Sequence, residues 1–544
     1  MAIQWTTSQS RDRGHGNQNR GGDRGRGNEG RGHGGGPELL LPLERGAGEP
    51  LRSQLEQGLR VAIRRGRLKP GTRLPSSRAL ATDLGISRGL VVEAYAQLAG
   101  EGYLEARQGS GTRVAGQAGR AVRPAGAGEP GVGPTRGDPA GGEQAGNGPA
   151  LGIPAGGGLA GKGRAGGAPA GGGPARLEGH RTGSPRIDFR PGAVDPVSFP
   201  RSAWAAALRR VTLQAPAPVL GYPDPRGARE LRDGLAAYLG RVRGVDTEPA
   251  GVLVVSGFAQ GLTLLARTLP SRYGRSVALE DPGSPGQLDL LARTGLDLVP
   301  IAVDDEGLRV DQLRASGARV VMVTPAHQFP SGVVLGPRRR AELLDWAASH
   351  DGLIVEDDYD AEFRYDREPM GALQGLAPDL VVYAGSLSKT LAPALRLGWL
   401  VPPAGLLAPL AEAKHDADLG SPTLDQLAFA DLLASGAYDR HLRAGRARHR
   451  RRRDALVRAL ANHAPDLRVR GTAAGLHAVV ELPPGTDEEA LVRRAARAGV
   501  GLHRLGGFHM AGRAPAPGLV LGYGSLSEGE ISAGVRLLAE LLDS

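Results

Sequence analysis

The segment Tyr383-Ala-Gly-Ser-Leu-Ser-Lys389 closes an apolar run and is followed seven residues later by Arg396. A lysine amine at a strand end can form a Schiff base with an aldehyde, and Ser386, Ser388 and Arg396 beside it can hold a phosphate by hydrogen bonds and charge. Together they have the chemistry to hold a phosphorylated aldehyde covalently. The same Ser-x-Ser-Lys also suits a plain polar loop, so other residues must decide. Val255-Ser256-Gly257-Phe258-Ala259-Gln260 reads as a strand-to-helix turn whose backbone N–H groups could meet a phosphate. Glu356-Asp357-Asp358-Tyr359-Asp360 closes another strand with carboxylates. One of these facing a protonated pyridine nitrogen would keep that ring electron-withdrawing, and a solvated acidic loop is the other reading. Thr324 to Gly332 ends a third strand and puts His327 and Gln328 near the same rim.

Such residues need a scaffold that gathers strand ends. Apolar runs at Val252–Val255, Val277–Leu279, Val320–Val323, Leu353–Val355 and Leu380–Tyr383 alternate with helical stretches. Continuous Val/Ile/Leu runs separated by helices predict a mostly parallel sheet covered on both faces. Ligands of such sheets lie at the carboxyl ends of the strands, where the candidate residues fall.

A second folded unit precedes this one. Leu51, Leu55, Leu59 and Ile63 recur at helical spacing, and Pro75-Ser76-Ser77-Arg78 can cap a second helix carrying Leu80, Ala81 and Leu84. Gly85-Ile86-Ser87-Arg88 predicts a tight turn into a third helix with Val91, Val92, Tyr95 and Leu98 on one face. A short hairpin tipped by Gly109-Ser110-Gly111-Thr112 follows. In a helix-turn-helix of this kind the second helix of the motif enters the major groove by its N-terminal residues, here Ser87, Arg88 and Gly89. A small helical packing module is the competing reading.

Composition sets the boundaries. Residues 1–47 are Gly/Arg-rich and are expected to be disordered; 48–115 form the winged helix-turn-helix; 116–186, nearly all Gly, Ala, Pro and Arg, are expected to be a disordered linker; 187–544 form the large domain. A flexible chain of about 70 residues spans roughly 45 Å, so tethering rather than rigid transmission is expected between the two units. The chain of 544 residues has no cysteine, which excludes disulfides and cysteine-ligated zinc, and no metal site is expected. It has no apolar run long enough to cross a membrane and no charged-then-apolar leader, so a cytoplasmic protein is expected. A formal charge of +10 favours a polyanionic partner. Seven arginines between Arg443 and Arg453 read either as a solvated helix face or as a second DNA contact.

The stretch Gly66 to Arg78, with Leu84-Gly-Ile-Ser-Arg88, Val92-x-x-Ala-Tyr95, Glu101-Gly-Tyr103 and Gly109 to Thr112, resembles the winged helix of GntR-type transcription regulators. That resemblance implies double-stranded DNA as partner and Arg73, Ser76, Ser77, Arg78, Ser87, Arg88, Gly89, Gly109, Ser110, Gly111 and Thr112 as contacts. At Gly89 relatives often carry a longer polar side chain. From about Asp188 to Leu542 the chain resembles a fold-type I aminotransferase, an α/β fold that binds pyridoxal 5'-phosphate. The resemblance implies Lys389 as Schiff-base lysine, Asp357 as partner of the pyridine nitrogen, and Tyr359, with Gln328 nearby, at the ring hydroxyl. Gly257, Phe258, Ala259, Ser386, Ser388 and Arg396 would hold the phosphate. Gly221-Tyr222-Pro-Asp-Pro-x-Gly227 is similar to the family's segment near the cofactor. The fusion of the two units, with Glu280-Asp-Pro-Gly283, His327-Gln-Phe-Pro330 and Gly475-Leu-His477, resembles the MocR subfamily.

The resemblance implies a homodimer on paired half-sites and a regulator that senses the cofactor, a small amine or an amino acid. A working aminotransferase carrying a DNA-binding domain is the alternative. Against it, Val520 stands where aminotransferases usually place a substrate-carboxylate arginine, with Arg504 as a candidate substitute, and Ser284 replaces a tyrosine expected near the ring. An acyl-serine enzyme built on Ser386-x-x-Lys389 lacks its Lys-Thr-Gly partner.

Overall fold

The computed structural model describes residues 43–44, 50–107, 111–116, 185–365, 370–471, 473–512 and 514–543. Nearly all of the expected disordered tail and of the expected linker lies outside the described residues, as do Gly109 and Ser110; Leu43, within the expected tail, packs on the core of the first unit.

Three helices, Leu51–Arg64, Ser77–Leu84 and Arg88–Glu101, are followed by an antiparallel hairpin, Leu104–Arg107 with Gly111–Val114. Ser76 caps the second helix by accepting from the Ala79 N–H at 3.2 Å, and Ser87 caps the third by accepting from Leu90 at 3.3 Å. Gly85 and Gly102 end these helices at φ +61° and +90°, a conformation that favours glycine. Leu55, Leu59, Ile63, Leu80, Val91, Ala94 and Leu98 form the core between them. Val92, expected on the inner face, is instead 46% exposed, because the buried stripe runs through Val91, Ala94, Tyr95 and Leu98.

The large domain is built on an eight-stranded sheet in the order Leu253–Val255, Gly398–Val401, Val381–Ser386, Leu353–Asp358, Val320–Val323, Ser276–Asp281, Asp297–Asp304, Gly307–Leu308. The five expected strands are present and run mutually parallel through their shared ladders, except where Gly398–Val401 inserts antiparallel beside Leu253–Val255. Helices cover both faces, and two apolar clusters fill the space between helices and sheet. A smaller unit follows, with four antiparallel strands (Arg468–Arg470, His477–Glu481, Gly518–Gly522, His503–Arg504) packed on helices Ala437–His463 and Glu528–Leu542.

The winged helix does not hang free of this body. Its apolar core continues into Leu373, Leu376 and Ala377 of the large domain. Glu101, fully buried, accepts from Arg60 at 2.9 and 2.7 Å and from Gln97 at 2.8 Å. Arg340 donates to the Glu101 carbonyl at 3.2 Å and to the Gly371 carbonyl at 2.7 Å. Close packing of this kind transmits displacement, which the expected loose tether would not.

The arginine run lies on the helix Ala437–His463 and is only partly a solvated face. Arg452 is buried, donating to the Gly524 carbonyl and to Asp195 at 2.7 Å, and Arg446 donates to the Glu362 carbonyl at 2.9 Å. Arg443, Arg450 and Arg451 are exposed.

Candidate functional site

The carboxyl ends of four sheet strands open on one cavity of about 350 Å³. That volume suits a cofactor-sized molecule. Phe258, Ala259, Asp357, Tyr359, Ser386, Ser388, Lys389 and Arg396 line it. Lys389 follows the strand Val381–Ser386, and its Nζ donates to the Gly192 carbonyl at 2.7 Å. Burial pushes the amine below its ordinary pKa, while the carboxylates of Asp360 and Asp357 act the other way. A larger neutral fraction makes it a better nucleophile.

Asp357 shows how a strand sorts its side chains. Successive residues point to opposite faces, so Asp357 enters the cavity while Glu356 and Asp358 turn away from it. Glu356 accepts from the Leu373 and Gln374 N–H groups, both at 3.0 Å. Asp358 takes Arg243 and the Tyr383 hydroxyl, both at 2.6 Å. Asp360 meets His327 Nδ1 at 2.9 Å. All four carboxylates are buried, which replaces the solvated-loop reading. Burial raises the Asp357 carboxyl to about 7, against a hydrogen bond from Gln287 at 2.8 Å and with help from neighbouring carboxylates.

At the opposite end, Gly257 caps the helix Phe258–Thr268 at φ +78°. A Cβ there would sit 2.6 Å from Arg396 Nη2, so glycine is required for the guanidinium to lie over the turn. Arg396 donates to the Ser256 carbonyl at 3.0 Å. The first N–H groups of a helix have no partner within it, and those of Phe258 and Ala259 lie at the cavity. Two serines, an arginine and a helix N-terminus form a cradle for a dianion.

Two expected ring contacts fall differently. Tyr359 lines the cavity, its hydroxyl donating to the His327 carbonyl at 3.0 Å. Gln328 does not line it. Its amide donates to the Pro282 carbonyl at 2.8 Å and the Phe329 carbonyl at 2.7 Å, and its oxygen accepts from Ser331. The next residue, Phe329, presents its ring to the cavity instead. Glu280, Thr324 and His477, from segments with a sequence signature but without an expected role of their own, also line it, as does Gln287, which carries no local motif. Glu280 accepts from the Thr324 hydroxyl at 2.6 Å, and burial raises its carboxyl to about 7.

The expected carboxylate-binding wall is apolar. Val520 is fully buried against Val479 and Phe508, with Phe329 packed on them. Arg504 is spent on the Gly512 carbonyl at 2.9 Å and does not line the cavity. Ser284 does line it, as the residue preceding the helix Pro285–Ala292. Tyr222 is 89% exposed and lies away from this chain's cavity.

On the winged helix, Arg73, Ser76, Arg78, Ser87, Arg88, Gly89 and Gly111 are exposed, and Ser77 and Thr112 are half-buried. Arg73 pairs across to Arg113 of the hairpin and packs on Gly111. The start of the helix after Ser87 is thus exposed, as are Arg73, Arg78 and Arg88. Among the described residues no helix is long and apolar enough to cross a membrane.

Comparison with known proteins agrees with this two-part construction. Residues 51–114 match the family of bacterial regulatory proteins called gntR, and residues 195–514 match aminotransferase class I and II. The chain is 33% identical to the probable rhizopine catabolism regulatory protein MocR of Rhizobium meliloti, over 92% of this chain and 95% of that one. It is 31% identical to the HTH-type pyridoxine biosynthesis transcriptional regulator PdxR of Corynebacterium glutamicum, over 93% and 98%. Kynurenine aminotransferase of Pyrococcus horikoshii superposes with a TM-score of 0.61 at 28% identity, over 66% of this chain and 91% of that one. LysN, an α-aminoadipate aminotransferase of Thermus thermophilus, gives 0.60 at 29% identity, over 66% and 92%. An exposed, capped helix-turn-helix joined to an aminotransferase fold, matched along nearly the whole of two regulators, means that the chain belongs to the MocR subfamily of GntR-type transcriptional regulators.

Proposed function

We propose that this regulator holds pyridoxal 5'-phosphate on Lys389 and reports the occupancy of that cavity to the winged helix. The observation that carries the reading is the convergence of Lys389, Asp357 and the Arg396 cradle on one cavity in a chain that also exposes a recognition helix. The residues fit the group. Asp357 is a buried carboxyl that gains from a cationic partner, and Gly257 leaves room for Arg396 where any side chain would collide. Arg396, Ser386, Ser388 and the N–H groups of Phe258 and Ala259 hold the phosphate. Asp357 keeps a proton on the pyridine nitrogen, Tyr359 serves the ring hydroxyl and Lys389 the aldehyde. When bound, the cofactor supplies a carbonyl carbon that amines can attack and a ring that withdraws electrons from it.

DNA recognition follows from Ser87, Arg88 and Gly89 at the start of the third helix, with Arg73 and Arg78 on phosphates. A two-fold dimer supplies paired half-sites. Val197, Leu213, Leu220 and Tyr222, exposed by 84, 74, 67 and 89%, lie within one stretch of chain and are suited to cover by a second copy. The relative named for pyridoxine biosynthesis makes the cofactor itself a natural signal.

The test is to load the purified protein with pyridoxal phosphate, record its visible absorbance, and measure affinity and footprint on the DNA it selects with and without the cofactor. A bound aldehyde absorbance lost in Lys389→Ala, together with a changed affinity or footprint, is expected. Identical DNA binding in both states refutes the regulatory part. Steady conversion of an amino acid and an oxo acid would instead support a working aminotransferase.

A further inference from the structure

The cavity's charges are unequally distributed. Among the described residues that line it, Lys389 and Arg396 are the cationic side chains. His477 also lines it, but burial takes its ring down to about 3, and its Nε2 donates to the Pro330 carbonyl at 3.0 Å. The ring is neutral and already engaged. Facing these groups are the carboxyls of Glu280 and Asp357, and an apolar wall of Phe329, Leu476, Leu279 and Met322. The wall is backed by Phe508, whose ring centroid lies 5.5 Å from that of Phe329, and behind it by Val520 and Val479. Two arginines of the adjoining segments are turned elsewhere: Arg190 reaches Asp188 at 3.2 Å, and Arg504 reaches the Gly512 carbonyl.

This inference rests on the reading that pyridoxal phosphate occupies the cavity. The phosphate then takes Arg396 and the aldehyde takes Lys389, which leaves no cationic side chain for an incoming molecule among the described residues that line the cavity. A second carboxylate would be buried against apolar side chains and near two carboxyls, an arrangement paid for only when a counter-charge is present. A primary amine with an apolar remainder meets no such penalty. We infer that the small molecule admitted beside Lys389 is a primary amine lacking an α-carboxylate, and that α-amino acids are discriminated against.

Matched pairs that differ only by the carboxylate test this: 2-phenylethylamine against phenylalanine, and 3-methylbutylamine against leucine. Each is titrated into the loaded, full-length protein, reading the visible absorbance and the thermal unfolding midpoint. Each titration is normalised to the same compound's effect on free pyridoxal phosphate. The amine of at least one pair should act at a concentration lower than that of its acid by more than about tenfold, the least that an unpaired buried carboxylate imposes. If the protein takes up pyridoxal phosphate but the acids act as well as or better than the amines, or neither member of any pair acts, this inference is overturned and the cofactor reading survives. If the protein takes up no pyridoxal phosphate, both are overturned.

Discussion

The cavity and the junction beneath the winged helix both bury charge, and they treat it in opposite ways. At the junction Glu101 and Arg60 have each other as partners. Glu101 is held low by the Arg60 charge and by hydrogen bonds from Arg60 and Gln97, which outweigh the larger upward push of burial. In the cavity, Asp357 receives one amide from Gln287 and Lys389 meets one carbonyl, from Gly192. Burial there pushes both groups toward their neutral forms. Paired burial fixes one arrangement, whereas under-paired burial leaves binding energy for a guest. The junction is therefore the rigid half of the molecule and the cavity the receptive half, joined by the strand Leu353–Asp358, whose Glu356 and Asp358 face away from the cavity that Asp357 enters.

Substitutions should separate the two regions by sign. Glu101→Ala leaves Arg60 buried with only Glu56, at 3.4 Å, as a counter-charge, and should cost about 3–5 kcal/mol of stability. Chemical denaturation, followed both in the winged helix and in the large domain, reads this loss. A cost below about 1 kcal/mol would mean that the junction is not the rigid partner. Asp357→Asn should do the reverse to the cofactor-free protein. The carboxyl rises from 3.8 to about 7 on folding, so the folded state binds its proton more tightly than the unfolded one. The wild type then loses stability relative to the asparagine variant as pH climbs through that interval, and no further above it. A gain of about 4 kcal/mol for Asp357→Asn at pH 8, nearly absent at pH 4, is expected. The same variant should take up pyridoxal phosphate more weakly. Ser87→Ala touches neither region and removes only a helix cap, costing about 1 kcal/mol. Its DNA affinity should fall while the cofactor absorbance of the loaded protein stays unchanged.

How much of this was legible in the chain follows the same division. Lys389 and the turn before Phe258 could be placed from sequence because each follows directly from a strand end, whereas the choice of Asp357 among the carboxylates and of Phe258 for the phosphate came from the family resemblance. Ser76 and Ser87 were readable as caps from local pattern. Gln328, expected near the ring hydroxyl, does not line the cavity: it lies in the turns that follow the strand Val320–Val323, where no strand alternation says which side chain faces the cavity. Gln287 reaches Asp357 across 70 positions and Arg340 reaches Glu101 across 239, so neither pairing has a local signature. The junction was therefore invisible, and composition alone suggested a loose tether.

Two lysines give the sharpest contrast, and Lys389 the smallest expected effect. Lys414 is fully buried and donates to both Asp418 oxygens, at 2.9 and 2.6 Å, and to Ser421 at 3.0 Å. Burial lowers its pKa, as it does for Lys389, but Asp418 bonds and charge oppose that fall directly. Lys414→Met takes one donor from each Asp418 oxygen and from Ser421, leaving Asp418 without its cation, and should cost about 1–3 kcal/mol. Lys389→Met removes an amine that folding has desolvated for one carbonyl bond, and should change the stability of the cofactor-free protein by less than about 1 kcal/mol. Thermal unfolding of both variants without cofactor, then with it, reads the comparison. Pyridoxal phosphate should raise the midpoint of Lys414→Met and do much less for Lys389→Met, because only the second lacks the nitrogen that the aldehyde needs. If Lys389→Met proved as costly as Lys414→Met, Lys389 would be a structural lysine like its neighbour, and the cavity would lose its claim to be the receptive half.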